Sequence, residues 1–179
     1  MKTQIKTQMK MEKRTENIMK EIKIEKVILG IGGTGDELEK GFKLLKFITN
    51  RTPSKRKSRK RIPELGVRPG LFVGAIVTIR KNFDEILKRL LSSVDNSLKK
   101  SQVAENAFSF GIKEYIEIPG MEYQRDIGIM GLDVTISFKR TGKRITLKKV
   151  KRGKIPKRHR ISKEEIIKFM EEKFNTKFI

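Results

Sequence analysis

Phe108–Arg140 reads FSFGIKEYIEIPGMEYQRDIGIMGLDVTISFKR, and two alternating rows within it decide the fold. In the first, Phe108, Phe110, Ile112, Glu114, Ile116 and Ile118 share one face, and only Glu114 is not apolar. In the second, Leu132, Val134, Ile136 and Phe138 form an apolar row, while Asp133, Thr135, Ser137 and Lys139 point the other way. Period-two alternation with β-branched and aromatic residues predicts half-buried strands. They are joined through Pro119-Gly120 and the segment to Gly128. A sheet built on them buries one face and leaves the other polar, open to a ligand.

The neighbouring segments supply partners. Ile22, Ile24 and Val27–Leu29 predict an earlier strand. Within Leu71–Arg80, Val73, Ala75, Val77 and Ile79 alternate with Gly74, Ile76, Thr78 and Arg80, which predicts another. Leu38, Phe42, Leu45 and Ile48 make one stripe of an amphipathic helix, with Asp36 as its expected N-cap, Asp36–Glu39 close to a capping box, and an end near Asn50. Phe83–Leu91 predicts a second helix capped by Asn82, and Ser162-x-x-Glu165 is a capping box opening a last one, packed through Ile166, Ile167, Met170 and Phe174. Gly66–Gly70 reads as a turn-rich bridge and Ser92–Ala107 as loop.

Composition narrows the function. The 179 residues suit one domain with its own core, expected over 18–179, preceded by an extension Met1–Asn17 that orders only on a partner. Lysine and arginine number 43 against 21 acids, a formal charge of +22. Such an excess repels itself unless a polyanion is present, which points first to nucleic acid and second to an anionic membrane or protein partner. No apolar run approaches the ~20 residues a bilayer crossing needs. No secretory signal is visible, and the absence of cysteine excludes disulfides and thiolate chemistry.

One stretch imitates an enzyme. Gly30, Gly32 and Gly35 match G-x-G-x-x-G between a strand and a helix. The acid expected about 20 residues on is replaced by basic Arg51–Arg61, and no repeated βαβ pattern follows, so a glycine-rich turn is the better reading. His159 stands among Lys157, Arg158 and Arg160, a poor setting for a base, and no cluster has metal-ligand spacing. Glu114 and Glu117 fall on opposite faces of the expected strand. No catalytic apparatus, cofactor or metal is expected.

Two basic segments stand out instead. Arg51–Arg61 holds seven basic residues in eleven, and Lys139–Arg160 twelve in 22, neither with an acid. Gly142, Gly153 and Pro156 interrupt the second, which reads as an irregular arm on nucleic acid.

Several strings resemble one family. They are Glu21–Val27 with its glycine turn, Gly66-Val67-Arg68, Val77–Arg80, Phe108–Glu114, Ile127–Val134 and Lys157–Glu165. Together they are similar to the ribosomal large-subunit protein that binds 5S ribosomal RNA, numbered five in bacteria and eleven in the eukaryotic cytosol, in its archaeal and eukaryotic branch. The resemblance implies an α+β fold: a mostly antiparallel sheet with helices packed on one face, plus basic irregular loops. It implies a cytoplasmic place in the central protuberance of the large subunit. The expected partners are 5S RNA, large-subunit RNA, the elbow of the P-site transfer RNA, neighbouring protuberance proteins and a small-subunit head protein.

By motif, Thr78 and Asp133 match polar positions used against 5S RNA, and Arg80 and Thr135 lie on the same expected faces. Gly30 and Arg51 are expected at the same 5S RNA interface, Gly30 standing where the family has Asn and Arg51 where it has Gln. Arm residues Lys139, Arg140, Lys143, Arg144, Lys148, Lys149, Lys151, Arg152, Lys157, Arg158 and Arg160 are expected on RNA phosphates. The loop Ser54–Arg61, through Lys55, Arg56, Lys57, Arg59, Lys60 and Arg61, and with Arg68, matches the loop that faces transfer RNA.

Overall fold

The computed structural model describes residues 17–179, so the expected extension lies, save Asn17, outside the described residues. Its main strands are β1 (Ile22–Gly32), β2 (Ser54–Lys57), β3 (Phe72–Ile79), β5 (Val103–Ala104), β6 (Ala107–Ile112) and β7 (Leu132–Arg140). These six form one sheet in the order β2-β3-β1-β7-β6-β5. Every neighbouring pair is antiparallel. A separate parallel pair joins β4 (Ser97–Leu98) to β8 (Lys177–Phe178).

Four α-helices stand among the described residues: α1 (Asp36–Thr49), α2 (Asp84–Ser92), a short α3 (Arg144–Leu147) and α4 (Lys163–Phe174). Leu44 and Leu45 of α1, Leu87 and Leu90 of α2, and Ile166 and Met170 of α4 are buried in one cluster with the inward rows of the strands. Those rows are Val27-Leu29-Ile31, Ala75-Val77-Ile79, Phe108-Phe110-Ile112 and Leu132-Val134-Ile136-Phe138, all buried. The three long helices therefore cover the same face, and the α+β architecture follows. Gly41 is where α1 crosses β1: a Cβ there would lie 2.8 Å from Cγ2 of Ile31.

Several local expectations are corrected. The row from Phe108 holds only to Ile112. Beyond it Tyr115–Glu117 is a 3₁₀ turn, and the buried residues become Tyr115 and Ile118, three apart as that turn requires. Ile116 is exposed, and Glu114 and Glu117 do not sit on a strand. The Tyr115 backbone N–H donates to Met130 O at 3.1 Å, and its hydroxyl accepts from Gln124 N at 2.8 Å. That fixes the long connection to β7.

Asp36 is the first helical residue, not the cap; Gly35, at φ 56°, takes that position with no side-chain bond. Asp36, Glu37 and Glu39 serve the first turn instead, facing the positive end of the helix dipole. Likewise Phe83, not Asn82, precedes α2, and no side chain caps it. Ser92–Ala107 is not loop alone: it carries β4, a 3₁₀ turn at Lys100–Gln102 and β5.

The box at Ser162 forms as read. Its hydroxyl accepts from Glu165 N at 3.3 Å, and its own N–H donates to Glu165 Oε2 at 3.0 Å. Ser162→Ala is expected to cost about 1 kcal/mol of stability, and Ser162→Thr much less; urea denaturation of the two variants measures the difference.

Candidate nucleic-acid interface

The face of the sheet away from the helices is built row by row from its register. Thr78 and Thr135 flank Ile28 from either side, and Ser109 pairs with Thr135. These four positions cross four strands, a row about 14 Å long at ordinary strand spacing. The adjacent row runs Ile76, Gly30, Asp133, Gly111. The next holds Arg56, Gly74 and Gly32. Four glycines thus occupy one surface, where strand glycine marks close approach of another backbone. A Cβ at Gly32 would meet nothing within 4 Å, and one at Gly111 only Asp133 Oδ1 at 3.5 Å.

The sheet therefore gathers Gly30, Thr78, Asp133 and Thr135 on one open surface. Asp133 is exposed and has no hydrogen bond or ion pair with a described residue. Arg80 is exposed just past the end of β3. Arg51 joins that end through its Nη2, which donates to Lys81 O at 3.2 Å. Sequence reasoning missed Ser109 and Gly111, although both lie on the polar parity of the alternation. It also missed that Gly30 and Gly32 belong to β1 rather than to a turn. Flanked by antiparallel β3 and β7, they cannot form the parallel βαβ turn of a dinucleotide site.

The expected loop Ser54–Arg61 is more ordered than its composition suggests. Ser54–Lys57 is edge strand β2, and the hairpin beyond is held by Ser58 N to Leu71 O at 2.8 Å and by paired bonds between Ile62 and Val67. Lys55 pairs with Glu39 and lies over the Phe42 ring, and Lys57 lies 5.1 Å from the centroid of Phe72. Arg56, Arg59, Lys60, Arg61 and Arg68 are exposed and unpaired among the described residues. A row of cations on an edge strand also guards it against pairing with another sheet.

The arm leaves the sheet at the end of β7. Lys139 keeps the parity of Asp133 and Thr135, so the open face runs directly into the arm. Three cations at its root are tied back to the fold. Arg140 Nη2 donates to Glu165 Oε1 at 2.6 Å, Lys143 pairs with Glu25, and Arg160 Nη1 lies 3.2 Å from Glu105 Oε2. Asn106 anchors the far end, its Oδ1 accepting from Ile161 N at 3.0 Å. His159 Nε2 lies 2.9 Å from the Thr141 carbonyl and so carries the proton there. Arg144, Lys148, Lys149, Lys151, Arg152, Lys157 and Arg158 remain exposed and without ion pairs among the described residues. Lys151 turns the chain at φ 51°.

The sheet is covered by helices on one side, open on the other and rimmed by cations, an α+β architecture. Among the described residues no helix is long and apolar enough to cross a membrane. Residues 72–169 match the C-terminal part of the ribosomal L5 protein family. The chain is 40% identical over 168 residues to the large ribosomal subunit protein uL5 of Nanoarchaeum equitans, covering 92% of this chain and 99% of that one. It is 41% identical to the uL5 of Sulfolobus acidocaldarius, over 92% of this chain and 94% of that one. The uL5 of Methanobrevibacter smithii is 38% identical, over 91% and 98%. The chain belongs to the ribosomal L5 family, archaeal type, whose members are structural rather than enzymatic.

Proposed function

We propose that this protein is a constituent of the large ribosomal subunit in the cytoplasm that lays the bare face of its sheet on 5S ribosomal RNA. The arm Lys139–Arg160 neutralises phosphates of that RNA and of large-subunit RNA. The hairpin tip, with Arg68, faces the P-site transfer RNA. The relatives' names support the ribosomal part. The observation that carries the RNA part is the open surface itself: hydroxyls, one unpaired carboxylate and four glycines within a chain of charge +22. Double-stranded RNA is recognised largely by shape and by its 2′-hydroxyls across a wide, shallow minor groove. An open face of glycines and short polar side chains suits that groove, while basic segments beside it supply affinity and set register.

Co-sedimentation with large subunits and crosslinking of bound RNA in cells test the reading. Recovery of 5S RNA is the expected result. Flotation with anionic liposomes at physiological salt, without ribosomal association, would overturn it in favour of membrane docking. Lys149→Ala, at an exposed arm position, is expected to weaken RNA binding modestly and to flatten the salt slope by about one. Filter binding across a salt series reads both.

A further inference from the structure

We propose that Asn106 is a latch that closes the basic arm before RNA arrives, so that the arm is presented as a formed loop. The inference rests on the RNA-binding reading. It adds a positioning residue that lies outside the arm, in the two-residue turn between β5 and β6.

The arm runs for 22 residues, Lys139–Arg160, and carries twelve cations and no acid. Closing a free loop of that length costs conformational entropy, and the like charges within it oppose closure further. Such a composition is expected to take shape only on its polyanion. In this fold one residue spans both ends. The residues that flank the arm, Phe138 and Ile161, are buried. The Asn106 carbonyl accepts from the Phe138 N–H at 2.8 Å, and its own N–H donates to Ile161 O at 3.3 Å. Its Oδ1 accepts from the Ile161 N–H at 3.0 Å. The two bonds to Ile161 form a reciprocal pair, like the one between facing residues of an antiparallel ladder.

Two properties must coincide at this position. The backbone is left-handed, with φ at 61°, a conformation that glycine, asparagine and aspartate adopt most readily. The side chain must also bring an acceptor to Ile161. Glycine meets the first requirement and lacks the second. The tie beside it contributes less, because Arg160 and Glu105 are each more than half exposed, where ion pairs add little. Closure continues inside the arm. His159 Nε2 donates to Thr141 O at 2.9 Å, and the Gly153 N–H donates to Ile145 O at 3.3 Å. A Cβ at Gly153 would lie 2.4 Å from Ile145 Cγ2, so the arm packs closely on itself there. An arm closed in this way loses little further freedom on binding. Opening it lowers affinity in proportion to the fraction of molecules left closed.

Hydrogen exchange in the full chain reads the closure, and filter binding to 5S RNA reads its use. Asn106→Gly keeps the left-handed turn and both main-chain bonds and removes Oδ1 alone. The bonded amides of Gly153, His159 and Arg160 are expected to exchange about fivefold faster, the effect of one lost neutral hydrogen bond, with β1 and α1 unchanged. Asn106→Asp, which keeps an acceptor, is expected to restore the parent's rates. The glycine variant is expected to bind 5S RNA about threefold to tenfold more weakly, with an unchanged salt slope because the same phosphates are met. The latch is overturned if these amides are unprotected in the parent, if glycine leaves their rates alone, or if aspartate fails to restore them. It is equally overturned if the glycine variant opens its arm yet binds RNA as tightly as the parent. A parent chain without affinity for 5S RNA removes the wider reading instead, and with it the use assigned to closure. The exchange rates still decide whether Asn106 closes the arm.

Discussion

Phe138→Ala is expected to lower the unfolding free energy by about 3–5 kcal/mol, the usual cost of emptying a buried aromatic site. Phe138 is fully buried on β7. Its ring stacks on Phe108 at 5.9 Å and meets Phe169 edge-on at 5.7 Å, so one side chain joins β6, β7 and α4. Those aromatic pairs add about 0.5–1.5 kcal/mol each beyond the area buried. The neighbours cannot collapse easily into the gap. The Phe138 N–H is bonded to Asn106 O at 2.8 Å, and Asn106 in turn holds Ile161 at the entry to α4. The cavity therefore persists and the loss falls at the upper part of the range. Urea denaturation should show a lower midpoint with an unchanged slope. Phe138→Leu, which keeps most of the volume, should recover much of the difference. A loss below about 1 kcal/mol would mean that this junction is not part of the cooperative core.

The same residue shows what could be read from the chain alone. Leu132–Phe138 alternates without interruption, and it folds as read, because both its apolar row and its polar row find a consistent environment. The first row fails after Ile112 for a physical reason. Tyr115 and Ile118 are spaced for a 3₁₀ turn, yet Ile116 and Ile118 continue a period of two, so one string supports both patterns. Capping divides in the same way. Ser162 and Glu165 complete each other's hydrogen bonds within four residues, a wholly local matter. Asp36 loses its expected place because Gly35, at φ 56° and ψ −124°, takes a backbone conformation open mainly to glycine and so stands at the cap itself.

For the candidate interface, parity along β3 and β7 was enough to place Thr78, Asp133 and Thr135 on one face. Their lateral neighbours were not legible. Ser109 and Gly111 come beside them through register, which is set by the pairing of whole strands and leaves no mark at any one position. The arm shows the limit most clearly. Arg140 and Arg158 look alike in a basic run, but the fold brings Glu165 to Arg140 while Arg158 stays exposed.

Asp133→Ala is expected to weaken 5S RNA binding by roughly 10- to 100-fold, the effect of losing a hydrogen bond to a charged acceptor at about 1.5–3 kcal/mol. The sign is the decisive feature. Long-range electrostatics alone predicts the opposite, since removing an acid from a chain of charge +22 strengthens its attraction to a polyanion. Weaker binding would therefore mean that the carboxylate accepts a specific bond, from a 2′-hydroxyl or a base amino group. The surroundings permit this. Asp133 is exposed between Gly30 and Gly111, so no neighbouring side chain on β1 or β6 holds RNA away from it. The salt slope should stay unchanged, because the residue neutralises no phosphate. Asp133→Asn keeps one acceptor oxygen and should fall between alanine and the parent. Glu117→Ala, an exposed acid in the turn after β6, is the control in which electrostatics acts without a bond. If Asp133→Ala tightens binding as that control does, the carboxylate is a bystander and the face is read by shape alone.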